Sequence, residues 1–125
     1  MPERWIVDAM NVIGSRPDGW WNDPDAAMRD FAQDVDDHAC NTGKDITVVF
    51  DKNPGRLPKS KHTNVVIARR RGRNAADYEI EQLVADEDDP TRLRVVTSDR
   101  RLIDKVKAAG AKVVSSGSFR QELDR

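Results

Sequence analysis

Four aspartates, Asp8, Asp51, Asp77 and Asp99, occupy positions from which side chains do chemistry. Three follow short apolar runs. Trp5-Ile6-Val7 leads into Asp8, Ile46 to Phe50 leads into Asp51, and Leu93 to Val96 leads through Thr97-Ser98 into Asp99. Runs this short, bounded by polar residues, read as buried strands. A further run, Val65 to Ala68, passes through a basic turn to Asp77. If these strands are parallel, the carboxylates meet at the carboxyl edge of the sheet, where open α/β sheets bind ligands. Crowded carboxylates repel one another unless a cation neutralises them. An all-oxygen donor set suits Mg2+ or Mn2+. The chemistry to expect is metal-assisted displacement at phosphorus, in which the ion acidifies a water and offsets phosphate charge. Asp8, Asp77 and Asp99 are the expected catalytic residues, and Asp51 joins them as a metal ligand. Asn11, Thr97 and Ser98 are expected to orient the site. Asp104, further along the helix after Asp99, is a weaker candidate. Each acid also has a plain structural role open to it, as a helix cap or a turn residue.

A second cluster lies beside the first. Arg69, Arg70, Arg71, Arg73 and Asn74 fall between the third strand and the helix bearing Asp77, with Lys59, Lys61 and His62 upstream. No acid interrupts this stretch before Asp77. A basic rim beside an acidic metal site suits a phosphodiester, with arginines on the backbone phosphates. Gly72 would allow backbone to approach a phosphate closely. The structural alternative is a solvated basic turn that pairs with nearby acids. Trp20 and Trp21, in a loop, are expected as one packed and one partly exposed residue, with base stacking a lesser possibility. His38 and His62 read as surface residues. Cys40 reads as a filler, since no histidine dyad is evident to make it a nucleophile.

The elements that must hold these residues alternate. Strands are expected at about 5–8, 45–51, 64–68, 93–97 and 112–114. A turn-rich loop, Gly14 to Gly19, follows the first strand. Asp23 as cap and Pro24 at the first position open a helix that buries Met28, Phe31, Ala32, Val35 and Ala39 and stops at Asn41-Thr42-Gly43. Asn74 is expected to cap a helix with Ala76, Ile80, Leu83 and Val84 inward. Another helix, about 99–109, buries Leu102, Ile103 and Val106 and ends with Gly110 as its cap. A short last helix carries Phe119 and Leu123, and the loop from Lys52 to Thr63 is expected to be mobile. Alternating strands and helices predict a doubly wound parallel sheet with right-handed crossovers.

The 125 residues suit one domain with a real core, so a single domain over 1–125 is expected. With 21 basic and 22 acidic residues the net charge is -1, so any case for nucleic acid rests on local clustering. The lone Cys40 excludes an intrachain disulfide and a cysteine-based zinc site and fits a cytoplasmic setting. No signal-peptide core is visible near the amino terminus, and no apolar run reaches the roughly 20 residues that span a bilayer, so no membrane role is expected.

Taken together, Ile6-Val7-Asp8-Ala9-Met10-Asn11-Val12-Ile13-Gly14 with Trp20-Trp21, Val48-Val49-Phe50-Asp51, Gly72-Arg73-Asn74-Ala75-Ala76-Asp77 and Val95-Val96-Thr97-Ser98-Asp99 resemble the bacterial NYN-domain proteins of the PIN-like nuclease superfamily. The resemblance spans nearly the whole chain, although no single piece is specific. It implies an α/β, Rossmann-like (PIN-like) three-layer fold with a central, mainly parallel sheet of about five strands. It also implies Mg2+ or Mn2+ and hydrolysis of RNA phosphodiester bonds. Carried over by position, Asp8, Asp77 and Asp99 match the metal-binding acids, Asn11 the site amide, and Asp51 the polar position after strand two. Many relatives have a fuller acidic set, which leaves the number of metals open, and Arg70-Arg71 stand where the family turn is commonly glycine-rich. The chain leaves open which RNA is cut, the oligomeric state, and whether a ribosome, a toxin-neutralising partner or a second copy takes part. The main alternative is an RNA-binding module with a degenerate site. A phospho-receiver, with Asp51 as acceptor and Thr97 as switch, is weaker because the first strand offers no acidic pair. A dinucleotide enzyme is weaker still, lacking a glycine-rich phosphate loop.

Overall fold

The computed structural model describes residues 2–125. Five strands, β1 (Arg4–Asp8), β2 (Asp45–Phe50), β3 (Thr63–Ile67), β4 (Leu93–Val96) and β5 (Lys112–Val114), form one sheet in the order β3-β2-β1-β4-β5. Every neighbouring pair is parallel. The α/β, three-layer architecture is therefore as the alternation of elements predicts.

Alternation along the strands divides the core into two layers. Trp5 and Val7 of β1, and Ile46, Val48 and Phe50 of β2, turn to one face. There they meet Met28, Phe31, Ala32 and Val35 of α2 (Pro24–Thr42) and Phe119 of α5 (Ser116–Leu123). Ile6, Val49, Leu93 and Val95 turn to the other face and pack on α3 (Ala75–Asp86) and α4 (Arg100–Ala108). Helix α2 starts as its sequence dictates. The Asp23 side chain accepts from the Ala26 N–H at 3.1 Å, Pro24 follows it, and Gly43 ends the helix in the left-handed region at φ 73°.

Several expectations need correction. A helix not expected from the sequence, α1 (Ala9–Ile13), follows β1 at once, and the turn-rich stretch Gly14 to Gly19 comes after it. At five residues α1 is too short to show a helical period. Asn74 stands at the cap position of α3, but in the left-handed region at φ 66° and without a side-chain cap bond. Ala109, not Gly110, is the cap of α4, and Gly110 follows it at φ 102°. Leu83 and Ile103 are half-buried at the edges of their helices. His38 is no surface residue: it is half-buried, its ring edge-on to Phe119 with centroids 5.9 Å apart.

The crossover from β2 to β3 contains no helix. Residues 51–62 make the return alone, about the least length a parallel connection needs. Leu57 packs on the first core layer, and Arg29 of α2 reaches the Pro54 and Gly55 carbonyls at 3.4 Å. The end of the loop is fixed by the buried carboxylate of Asp36, whose Oδ1 accepts from the His62 N–H and the Thr63 hydroxyl, both at 2.9 Å. Asp36→Ala leaves both part-buried donors without their acceptor and should lower unfolding free energy by about 1–3 kcal/mol in a urea titration. A loss below about 0.5 kcal/mol would mean that the loop end is not held there.

Candidate active site

Because all five strands run the same way, their carboxyl ends share one edge, and the strand order reverses between β1 and β4 at that edge. Asp8 closes β1 and is 5% exposed. Since α1 begins at the next residue, its carboxylate is held at the mouth of the reversal point. Immediately after the end of β4, the buried Thr97 hydroxyl donates to Asp8 Oδ2 at 3.1 Å and accepts from the Asp99 N–H at 3.1 Å. One hydroxyl thus ties two acids together. Asp99 does cap α4, its Oδ1 accepting from the Leu102 N–H at 3.1 Å. A cap uses one oxygen of a carboxylate and leaves the other available. Asp77 enters from the first turn of α3 and Asp51 from just past β2. The four acids line one cleft of about 290 Å3, with Asn11 and Arg73 also in its wall.

The Asn11 amide is oriented by a network reaching across the edge. Its Oδ1 accepts from the Ser98 N–H at 2.8 Å and from the Ser116 hydroxyl at 2.5 Å. A backbone N–H can only donate, so the oxygen, not the nitrogen, faces Ser98. The Nδ2 donors are therefore the free end of the amide. Ser98 Oγ accepts from the Ser116 N–H at 3.0 Å, so Ser98 serves the amide rather than a carboxylate. Ser116, 1% exposed in the first turn of α5, is a site residue that sequence reasoning missed. The available signal was its place just after β5, at the same sheet edge.

Electrostatics at the edge are strained. Burial pushes Asp8 up to about 7, the Thr97 hydrogen bond opposes that, the charge of Asp77 adds to it, and the Asn11 backbone N–H and Asp99 exert smaller opposed effects. Asp77 is also raised, first by burial and then by Asp99 and Glu81, with Arg101 and Lys105 pulling the other way. The Oδ1 of Asp51 is buried and has no hydrogen-bond partner.

The basic turn adjoins this cleft. Asp51 and Gly72 also line a second cleft of about 760 Å3, walled by Arg69, Arg70 and Arg71. Gly72 sits at φ 94°, and a Cβ there would meet nothing within 4 Å, so its conformation rather than close approach calls for glycine. Arg69 is not a free cation. Its backbone N–H and its Nε both donate to Glu79 Oε1, at 3.0 and 2.8 Å, and Glu79 is buried on α3. That ion pair fixes the start of the turn. Arg70 lies over the Tyr78 ring at 4.4 Å. Arg71 and Arg73 are exposed, and Arg73 and Asn74 line the acidic cleft itself. Lys59, Lys61 and Asp104 are exposed and line neither cleft. Trp20 packs on the first core layer while Trp21 is 54% exposed, and neither borders the clefts.

The donor set fits a hard divalent ion in a particular way. Among the described residues, no three His, Cys, Asp or Glu side chains stand close enough to ligate one ion directly. Carboxylates separated in this way suit Mg2+, which keeps several waters and takes only one or two carboxylates. An unpartnered Asp51 oxygen and a protonation-prone Asp8 are groups that a cation would satisfy.

A parallel α/β sheet with acids gathered at its switch point is the arrangement of the PIN-like nucleases. A family model for the YacP-like NYN domain matches residues 5–125, and the chain belongs to that family. It is similar to Rae1 (YacP) from Bacillus subtilis, solved by crystallography. The likeness has a TM-score of 0.78 at 25% identity and covers 98% of this chain and 74% of that one. The W164L mutant of the same protein gives a TM-score of 0.77 at 25% identity, with 98% and 75% covered. No curated protein matches the chain at a significant level.

The raised pKa of Asp8 has a consequence for stability. Its folded pKa, about 7, lies above the unfolded 3.8, so the native state holds the proton longer and stability falls as pH rises from about 4 to 7. Asp8→Asn removes that ionisation. In metal-free buffer it should leave stability near wild type at pH 4 and raise it above pH 7, by up to about 4 kcal/mol. Equal pH profiles for the two proteins in thermal or urea unfolding would contradict the burial argument.

Proposed function

We propose that this chain is a metal-dependent endoribonuclease that hydrolyses RNA phosphodiester bonds in RNA processing or decay. One observation carries the reading: carboxylates from four separate elements line one cleft, and a cleft walled by arginines shares Asp51 and Gly72 with it. Membership of an NYN family supports RNA as the substrate class, and a cytoplasmic setting fits the single cysteine. Among the described residues, no helix is long and apolar enough to cross a membrane.

Asp8, Asp77 and Asp99, with Asp51, would hold Mg2+ or Mn2+, no more than two of them as direct ligands and the others through its waters. Such an ion, when bound, offsets phosphate charge and lowers the pKa of water. The remaining work falls to the chain's own residues. Thr97 ties the Asp8 carboxylate to the Asp99 backbone N–H through a single hydroxyl. Asn11, its oxygen fully engaged, presents N–H donors to a non-bridging phosphate oxygen. Arg71 and Arg73 bind phosphates flanking the scissile one and place the strand across the cleft. Arg69 takes its part through Glu79, by setting the turn rather than by contact.

The test is cleavage of a labelled single-stranded RNA with magnesium or manganese. Wild type should cut. Asp8→Asn and Asp99→Asn should lose on the order of 10²–10³ in kcat, the usual weight of a group that organises transition-state charge. Asn is itself a good cap, so the fold survives Asp99→Asn. Ser116→Ala, which frees the Asn11 amide to turn, should lower kcat about tenfold with little change in KM, the pattern of an interaction made in the transition state. Undiminished cutting by both Asp variants would refute the reading. RNA binding without metal-stimulated turnover would assign the chain to the RNA-binding class instead.

A further inference from the structure

On the outer side of α3, a third recess of about 370 Å3 is lined by Arg69, Arg70, Tyr78, Glu79, Glu81 and Gln82. It shares Arg69 and Arg70 with the basic cleft, which in turn shares Asp51 and Gly72 with the acidic one. The three form a continuous path along the basic turn. Tyr78 lies at its far end and is 40% exposed; with Trp21 it is one of two large exposed hydrophobic side chains among the described residues. Both carboxylates of the recess are already committed, Glu79 to Arg69 and Glu81 to Lys105 Nζ at 2.9 Å. Arg70 makes no ion pair among the described residues, and its guanidinium rests on the Tyr78 ring at 4.4 Å. An aromatic ring and an arginine plane held together at the end of a cationic path have the composition of a base-stacking platform.

We infer that the Arg70–Tyr78 pair is a stacking subsite for one unpaired base of an RNA strand whose scissile phosphate lies in the acidic cleft. The inference rests on the ribonuclease reading and deepens it, because a stacked base must be unpaired and the substrate is then single-stranded at this position. Helix geometry supports the placement. Asp77 and Tyr78 are consecutive on α3, so their side chains diverge by about 100°, one into the acidic cleft and the other into the recess. A single helix turn thereby links the reacting phosphate to the base a short way along the strand. Arg70 serves twice, its charge facing the backbone and its plane extending the stack.

The test is fluorescence anisotropy with a labelled single-stranded RNA and with a duplex of the same sequence, in EDTA, for wild type, Tyr78→Ala and Tyr78→Phe. Tyr78 is exposed, so neither variant disturbs the core, and thermal melting checks this. Tyr78→Ala should weaken single-strand binding about tenfold, the weight of one base–aromatic stack. Tyr78→Phe should keep it, and duplex binding should not change. Equal single-strand affinity for wild type and Tyr78→Ala, or an equal loss on both RNAs, overturns the subsite. If wild type also cleaves RNA with metal in that case, the ribonuclease reading stands and only the subsite falls. If wild type neither binds nor cleaves RNA, both fall together.

Discussion

The carboxyl group of Asp8 is out of water at the end of the central strand, and three more acids line the same cleft. Such a group has two resting states. It keeps its proton, as the rise to about 7 indicates, or it ionises against a positive charge that arrives from outside. The rest of the edge is arranged around that choice. Thr97 offers Asp8 a hydrogen bond but no charge; of the turn arginines, Arg69 pairs with Glu79, Arg70 and Arg71 line the second cleft, and Arg73 lines the acidic one. The protein thus sets most of the turn's cations along the approach to the acidic cleft and brings one, Arg73, to its wall. On the proposed function, the stability that such a buried acid gives up at neutral pH is recovered when a divalent ion binds.

Parallel pairing makes the arrangement possible with few residues. Register aligns Asp8 with Val49 on one side and brings Val96 beside Val7 on the other, so the residues that follow Phe50 and Val96 emerge beside Asp8 without any long-range search. The helices then add polar groups at the same edge. Asp77 comes from the start of α3, Asp99 from the cap of α4, and Ser116 from the start of α5. Asn11 is the junction where α1, the β4–α4 turn and α5 meet through hydrogen bonds of 2.5–2.8 Å. Loosening any of these elements turns the amide and is felt at the site.

Much of this was legible in the sequence because strands that end in Asp announce both a period and an edge. Strand positions, the parallel order of elements and the membership of an NYN family all follow from those short motifs. The same reading put Asp8, Asp51, Asp77 and Asp99 on one edge, and the fold places them there; their roles as ligands are a matter for experiment. Other features were hidden for physical reasons. Helix α1 is one turn and a half, below the length at which periodicity speaks. Ser116 has no pattern of its own, since its meaning lies in a partner 105 positions away in the chain. The arginines looked equivalent in a row, yet the buried Glu79 pairs with Arg69 and the Tyr78 ring takes Arg70. Lys59 and Lys61 looked close in the chain, but the loop carries them along the α2 side, where its turn is held by Arg29.

The central claim is that Asp8 is a buried acid waiting for a divalent cation. The most direct measurement is the carboxyl 13C shift of Asp8 by NMR across a pH titration, with and without magnesium. The account predicts a midpoint near 7 in metal-free buffer and a large fall in that midpoint when magnesium is added. A midpoint in the ordinary carboxylate range, or one that ignores magnesium, would contradict it.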